Sequence, residues 1–463
     1  MRLLTSSRAI AFVFALIALA PAALRAAPEA TSEQRLANGL QVIVKPDHRA
    51  PVVVVMVWYR VGSIDEINGV TGVAHALEHM MFKGTRTTGA GEYSRIIAAA
   101  GGRDNAFTGN DSTAYFALLQ KSQLDLALRL EADRMANLTL APEEWAKEIK
   151  VVMEERRYRT DDRPRSLVYE QLMATALTAH PYRKPVIGWM SDLQNMTVED
   201  ARAFYRRWYA PNNAVLVVVG DVSPQEVVAA AEKYFGGIQS RPLPERKPQD
   251  EPPQLGAKRV TVKAPAELPY VVMVFRVPPL RDPREDWEPY ALEMLSAVLS
   301  GNSAARLPGN LVRAERLASS ASASYDGLAR GPGFFYLSAT PTPGRTASEV
   351  EQGLRREMAR IISEGVSGDE LDRAKAQAVA AHVFERDSMM SQAQEIGAME
   401  ISGISHKTID LQLQKLREVT PEQVQAVARK YYVEDALTIA SLDPQPLEGR
   451  RPAAPPAGLR HVQ

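Results

Sequence analysis

The sequence contains no cysteine among its 463 residues. This absence excludes a disulfide framework, thiolate metal sites, iron–sulfur clusters and a cysteine nucleophile. A bound metal ion would therefore depend on His, Asp or Glu. Histidine is also scarce, with only 7 in the chain, so a cluster of histidines is informative.

The chain also lacks an excess of charge of either sign, because 55 Lys and Arg balance 55 Asp and Glu. No global field attracts it to nucleic acid or to an anionic membrane, and we expect no nucleic-acid partner. The hydrophobic share of 45% and the charged share of 24% are typical of a globular protein. A chain of this length predicts two or three domains.

Long apolar runs are rare, and the clearest one lies at the N-terminus. Arg2 and Arg8 precede an apolar run over residues 9–19, and small residues follow it. The run is shorter than the roughly 20 residues that span a bilayer, so it indicates a signal peptide rather than a membrane anchor. We predict a signal peptide over residues 1–26, cleavage after Ala26, and a periplasmic or secreted protein with no membrane span after cleavage.

Hydrophobic periodicity predicts alternating helices and strands. Residues 40–45 alternate apolar and polar side chains, and residues 52–61 are rich in β-branched and aromatic ones, which is typical of strands. A helix is expected from about residue 71, then strands within 105–119. Helical spacing follows over 121–137 and 142–160, and residues 215–220 predict a buried strand.

A proline-rich, charged segment at residues 241–253 predicts a linker between two domains. Residues 197–209 resemble residues 420–432, and an apolar strand follows each segment. This similarity indicates a duplicated domain, with chance similarity between two helix–strand units as the alternative. We predict a metal-binding domain over 30–238, a linker over 239–257, a second domain without metal over 258–445, and a mobile tail over 446–463.

The candidate chemistry is concentrated in the sequence His75-Ala-Leu-Glu78-His79. On a helix, residues four apart lie one above the other, so both imidazoles can reach one ion, with Glu78 beside them. Two neutral imidazoles and a carboxylate suit zinc and leave a fourth position open. The motif therefore predicts a zinc site that needs one further ligand.

The acidic helix over 142–160 offers Glu148, Glu154 and Glu155 as sources of that ligand. Glu148 and Glu155 are nearly two turns apart and share a face, whereas Glu154 points away. We expect one of the pair to bind the metal and the other to support a ligand or water. The alternative is that they are surface acids paired with neighbouring Lys and Arg. The segment 156–165 that follows is interpreted as a solvated loop that could also contact substrate.

With these residues, the sequence resembles the pitrilysin and insulysin-type zinc metallopeptidases, which include the mitochondrial processing peptidase and carry the inverted His-x-x-Glu-His order. The resemblance implies an α+β fold of two similar domains that form half of a clamshell. Each domain would be a mainly antiparallel sheet with helices packed on one side. It also implies that His75, His79 and Glu155 bind one zinc ion per chain, that Glu78 is the general base, and that Glu148 supports the site.

The resemblance extends to Asn105, Ala106 and Phe107, which match the edge strand that binds substrate in this family. Such a strand would hold an extended peptide through main-chain hydrogen bonds. Phe107 either lines a side-chain pocket or packs in the core, since aromatic residues in strands are often buried.

One departure from the family concerns an arginine and a tyrosine that the opposite half of the clamshell contributes. Arg313 matches the arginine, but Ser320, or Ser319 if one residue is deleted, stands in place of the tyrosine. This predicts a heterodimer in which a related subunit supplies the Arg/Tyr pair. A homodimer in which Tyr325 substitutes is the alternative.

Together these features predict an exported zinc endopeptidase that hydrolyses peptides or unfolded polypeptide segments as the catalytic subunit of a dimer. The alternative is a non-catalytic peptide-binding or assembly subunit that retains a zinc site.

Overall fold

The computed structural model describes residues 30–447. The predicted signal peptide lies outside this range, as does the predicted tail from residue 448. Within 30–447, no helix combines the length and the apolar character needed to cross a bilayer. Two β-sheets with their helices make up the fold.

The first sheet has six strands in the order β1-β2-β6-β3-β5-β4, in which β2 and β6 run parallel and the other neighbours antiparallel. Its strands are β1 (Ser32–Arg35), β2 (Gln41–Pro46), β3 (Val52–Tyr59), β4 (Arg103–Thr108), β5 (Thr113–Gln120) and β6 (Ala214–Gly220). The helices of this half are α1 (Val73–Met80), α2 (Glu92–Ala99), α3 (Leu124–Asn137), α4 (Pro142–Arg156), α5 (Pro164–Ala176), α6 (Met190–Asn195), α7 (Val198–Trp208) and α8 (Pro224–Phe235).

The second sheet has the order β7-β11-β8-β10-β9, again with a single parallel pair, β7 and β11. Its strands are β7 (Lys258–Pro265), β8 (Tyr270–Val277), β9 (Ala318–Asp326), β10 (Gly333–Pro341) and β11 (Leu437–Gln445). The helices are α9 (Glu288–Ser300), α10 (Ala347–Glu364), α11 (Gly368–Glu385), α12 (Met389–Ile401), α13 (Ile409–Glu418) and α14 (Pro421–Tyr431). Without β1, the first sheet has the same order, which confirms an α+β fold of two similar domains.

The two segments that look alike in sequence form equivalent units. Thr197 caps α7 and Thr420 caps α14, and each threonine exchanges capping hydrogen bonds with the residue three positions later, Asp200 or Gln423. Each helix leads into a strand next to the centre of its sheet, β6 or β11. Between the two halves, residues 239–257 form no helix or strand. The domain boundaries drawn there remain a prediction.

Each sheet packs one face on the helices of its own half, as expected, and the other face on a helix from the opposite half. Val168 and Leu172 of α5 are buried against the second sheet. Ala393 and Ile396 of α12 are buried against the first. This exchange explains why β3 is apolar along its whole length rather than alternating, since both of its faces are covered.

Candidate metal centre

Helix α1 carries the histidine motif and is fixed at its first turn. The ring centroids of His75 and His79 lie 4.8 Å apart. The helix begins after Gly72, whose φ of 87° favours glycine. A Cβ atom there would lie 2.4 Å from the carbonyl oxygen of Ile187. The buried carboxylate of Glu66 accepts hydrogen bonds from the N–H groups of Gly72 and Ala74, both at 2.9 Å, so it caps the helix.

Helix α4 places Glu155 against these histidines. Its Oε2 lies 3.1 Å from Nε2 of His79 and 3.7 Å from Nε2 of His75. One ligand atom from each of the three residues lies within 4.8 Å of the others. The side chain of Glu154 is 55% exposed and pairs with Arg157, so helical periodicity separates these two acids as the sequence predicts.

The three side chains form a donor set that fits zinc. Ligand atoms about 2.1 Å from a tetrahedral zinc lie roughly 3.4 Å apart, close to the separations between Glu155 and the two imidazoles. All three residues are buried, and Glu155 has no exposed surface. Two imidazoles and one carboxylate also leave a fourth position for water or substrate.

Glu148 contacts His79, one of the three candidate ligands. Its Oε1 is 2.9 Å from Nδ1 of His79, and its Oε2 is 2.6 Å from Nζ of Lys83. Burial favours a higher pKa, but these two hydrogen bonds hold the pKa of Glu148 below its usual value. An ionised carboxylate only accepts hydrogen bonds, so Nδ1 of His79 carries the proton and Nε2 faces Glu155.

Contacts between the acids and the histidines shift their pKa values in opposite directions. Burial lowers the pKa of His79, but hydrogen bonds to Glu148 and Glu155 outweigh it and raise the pKa to about 9. Burial alone would raise the pKa of Glu155, but contacts with the two histidines and Arg159 outweigh this effect and lower the pKa to about 2. Nε of Arg159 lies 2.9 Å from Oε1 of Glu155. Binding of a metal ion by His79 requires loss of its proton from Nε2.

Glu78 is 1% exposed and lies on the same helix. It accepts a hydrogen bond from the hydroxyl of Thr108 at the end of β4. Burial raises the pKa of Glu78 to about 7, against the opposing effects of His79 and Thr108. A carboxyl group with this pKa can exchange protons at neutral pH.

Strand β4, which contains Asn105, Ala106 and Phe107, is the terminal strand of the first sheet. Ala106 faces the core that includes α1. Phe107 lies on the other face, edge-on to Trp58 at a centroid distance of 5.2 Å, in the cluster covered by α12. The edge therefore offers main chain beside Glu78, and Phe107 is partly buried against the cluster covered by α12.

The prediction of a solvated loop over residues 156–165 was wrong. Residues Arg157–Asp161 continue α4 as a π-helix, and α5 begins at Pro164. Arg156 is buried because its guanidinium binds both carboxylate oxygens of Glu170, at 2.8 and 3.1 Å, and the carbonyl of Gly188. The partner lies 14 residues away on another helix, so a local charge pattern could not reveal it.

The residues considered for the Arg/Tyr pair lie in the second half. Arg313 is exposed and donates to the carbonyl of Ser303. Ser320 is exposed on the terminal strand β9. The hydroxyl of Tyr325 donates to the carbonyl of Pro278 at 2.6 Å, so this structure engages it within its own domain.

Sequence reasoning missed four side chains that position the motif residues, namely Glu66, Lys83, Thr108 and Arg159. Lys83 lies four residues, or about one helical turn, after His79. This spacing could have suggested that both side chains contact the same residue, which is Glu148. Arg159 lies four residues after Glu155, and Glu66 lies six and eight residues before the N–H groups that it binds. Thr108 lies 30 residues from Glu78, so this contact depends on the tertiary fold.

Comparison with known families gives two matches along the chain. Residues 41–188 match the model described as insulinase, peptidase family M16. Residues 195–378 match the model described as peptidase M16 inactive domain. The candidate metal ligands all lie within the first match.

Relatives of similar length have zinc protease names. The zinc protease PqqE of Helicobacter pylori is 32% identical over 416 residues, covering 88% of this chain and 92% of the relative. An uncharacterized zinc protease of Mycobacterium leprae is 32% identical over 403 residues, covering 85% of this chain and 88% of the relative.

Solved structures share the fold. A protease from Helicobacter pylori has a TM-score of 0.85 at 31% identity and covers 90% of this chain and all of its own. The periplasmic protease PqqL from Escherichia coli has a TM-score of 0.77 at 19% identity. That match covers 90% of this chain but 48% of PqqL, so the longer protein has room for two units of this size.

Proposed function

This chain belongs to peptidase family M16, and from that premise we propose that it is an exported zinc-dependent endopeptidase that hydrolyses peptides or unfolded polypeptide segments. One observation carries the proposal. Side chains from α1 and α4 bring His75, His79 and Glu155 within ligand distance of one another, with the buried carboxyl of Glu78 on the same helix. The inactive-domain description applies to residues 195–378, outside this cluster.

In this proposal His75, His79 and Glu155 hold one zinc ion per chain, and Glu148 fixes the orientation of His79. When bound, zinc lowers the pKa of a water molecule and polarises a peptide carbonyl. The hydrogen bond from Nδ1 of His79 to Glu148 keeps Nε2 directed at the cluster.

Glu78 acts as general base and then as general acid. It accepts a proton from the attacking water and delivers that proton to the leaving amine, so that no covalent bond to the protein forms. Burial raises the pKa of Glu78, which favours uptake of a proton from the water. Thr108 holds the carboxylate in place.

The main chain of Asn105, Ala106 and Phe107 binds the substrate as an added strand on β4. A terminal strand presents N–H and C=O groups along its outer edge, and pairing with them is largely independent of side chains. This mode suits extended peptides and disfavours folded proteins.

We also propose that the active form is a heterodimer in which a related subunit supplies an Arg/Tyr pair. The Pro278 carbonyl holds the hydroxyl of Tyr325, which argues against Tyr325 as the substitute in a homodimer. The native mass of the active complex should correspond to two different chains. An active complex of identical chains would contradict this point.

Export is tested by sequencing the N-terminus of the native protein from cell fractions. We expect a periplasmic or secreted chain that begins at Ala27. A chain retained in the cytosol with residues 1–26 attached would contradict export.

The proposed chemistry is tested with the Glu78→Gln variant, which removes the base and leaves every proposed ligand. Turnover of a mixture of quenched fluorescent peptides should fall about 10²- to 10⁴-fold, and a chelator should abolish it in wild type. Glu154→Gln is the matched control, because Glu154 is an exposed acid of α4, and it should retain activity. Unchanged turnover by Glu78→Gln would refute the mechanism. Zinc binding without turnover, with or without a partner subunit, would favour a non-catalytic peptide-binding subunit.

A further inference from the structure

A cavity of about 490 Å³ begins beside the metal cluster. Arg159 lines it, and the Nε atom of Arg159 lies 2.9 Å from Oε1 of Glu155. Asn110 lines it as well, two residues beyond Thr108, the residue that contacts Glu78. The cavity therefore lies next to Glu155 and to the residues that follow β4.

Basic side chains outnumber acidic ones along the walls of the cavity. Four cationic side chains line it, and Glu170 is the single acidic residue among its lining residues, all of which belong to the described part of the chain. Arg156 binds both carboxylate oxygens of Glu170, so this acid does not neutralise the other cations. The four cationic residues are Arg159, Arg165, Arg183 and Lys184.

Two of these cations have only neutral partners within residues 30–447. Nη2 of Arg165 donates to Oγ1 of Thr340 at 2.9 Å, and its guanidinium lies 5.0 Å from the ring centroid of Tyr270. Nη1 of Arg183 donates to the carbonyl of Thr178 at 2.6 Å. Each guanidinium has five N–H donors, so both retain donors for an anion.

The remaining wall suits the apolar part of a substrate residue. Tyr169 is 51% exposed, and Met173 and Ile187 also line the cavity. A concave site with apolar walls and a few convergent charged groups is typical of a ligand-binding pocket.

We propose that this cavity is a substrate subsite for a carboxylate, which Arg165 and Arg183 bind. The carboxylate comes from an Asp or Glu side chain of the peptide or from its C-terminus. The proposal rests on the peptidase function above and adds a substrate preference to it. A guanidinium group favours a carboxylate because the groups carry opposite charges and because two parallel N–H donors match the two carboxylate oxygens in one plane.

The test uses the mature zinc-loaded protein, together with the related subunit if activity requires it, and ten-residue quenched peptides built from Ala, Ser, Phe and Val. One series carries a single Glu at each position in turn, and its partner series carries Gln there. A further pair compares a free C-terminal acid with the amide. We expect kcat/KM to favour the carboxylate about tenfold at one position or at the C-terminus, and the favoured member identifies the source.

The double variant Arg165→Gln/Arg183→Gln should bring that ratio close to one. The control Arg129→Gln alters an exposed arginine of α3 outside the cavity and should keep the ratio. Arg165 contacts the second half of the chain, so the single variant Arg183→Gln is measured in parallel and should lose part of the preference. Equal rates for all pairs in wild type, or a preference that the double variant retains, would overturn the proposal.

Failure of this proposal is distinguishable from failure of the peptidase function. Binding of the same peptide pairs to Glu78→Gln protein, measured by fluorescence anisotropy, tests the cavity without turnover. Tighter binding of the carboxylate peptide that disappears in the Arg165→Gln/Arg183→Gln background supports the subsite even if no peptide is cleaved. Cleavage of neutral peptides with no carboxylate preference in rate or binding would leave the peptidase intact and reject the subsite.

Discussion

The two halves of the chain have equivalent sheets but bury different side chains on the corresponding helices. Helix α1 buries two histidines and Glu78. Its counterpart α9 buries only apolar residues and Tyr290. On α11, the counterpart of α4, His382 lies near Glu385 and Glu395 at 3.9 and 3.3 Å, and this group does not form a candidate metal cluster among residues 30–447. The site is therefore a small set of side chains on a fold that the second half adopts without them.

Substitution of one buried or partly buried histidine in each half should show the largest difference between the halves. His79→Ala removes a proposed zinc ligand and should reduce peptide turnover at least as far as Glu78→Gln does. His382→Ala alters a histidine of α11 and should keep turnover within about twofold of wild type. Rates measured at equal protein concentration check this, and equal losses in both variants would show that the halves do not differ in role.

Because α5 packs on the second sheet and α12 packs on the first, we expect each half to stabilise the other. Leu172→Ala on α5 opens a cavity on the second sheet and should lower the free energy of unfolding by about 2–5 kcal/mol, because Leu172 is fully buried there. Val383→Ala on α11, at a side chain that is 51% exposed, should change it by less than about 0.5 kcal/mol. Denaturant titration measures both, and a negligible effect of Leu172→Ala would refute the coupling.

Substitution of two glycines in the loop before α1 distinguishes the cost of backbone strain from the cost of a steric clash. Gly69 and Gly72 both have positive φ, 93° and 87°, but a Cβ at Gly69 has nothing within 4 Å. Gly69→Ala should cost about 1 kcal/mol of stability. Gly72→Ala should reduce stability by more than this, because the added Cβ would clash with the carbonyl oxygen of Ile187 and displace α1. The displacement should also lower zinc affinity. Thermal unfolding with and without zinc tests this, and equal costs would contradict the contact.

The smallest expected difference between the halves concerns the terminal strands β4 and β9. Thr108→Val on β4 removes the hydrogen bond to Glu78 and should lower kcat about tenfold. Ser322→Ala on β9 removes an exposed hydroxyl that contacts Ser338 and should leave kcat unchanged. A Thr108→Val enzyme with wild-type kcat would show that this contact does not support the base.

Local periodicity was sufficient to group the two histidines and to select Glu148 and Glu155 as candidates, but the choice of Glu155 as the third ligand came from the family resemblance. Four-residue and seven-residue spacings on helices placed His75 with His79 and separated Glu155 from Glu154, since helix geometry alone decides these. Thr108 reaches Glu78 only through the tertiary fold. The exchange of α5 and α12 could not be predicted either, because an apolar helix face does not specify which sheet it covers.

Zinc content per chain tests the central claim most directly. Mass spectrometry of metals in the purified, dialysed protein should give one zinc in wild type and in Glu154→Ala, and none in Glu155→Ala, with all three proteins folded by circular dichroism. Zinc retained by Glu155→Ala, or lost from Glu154→Ala alone, would contradict the site assigned to α1 and α4.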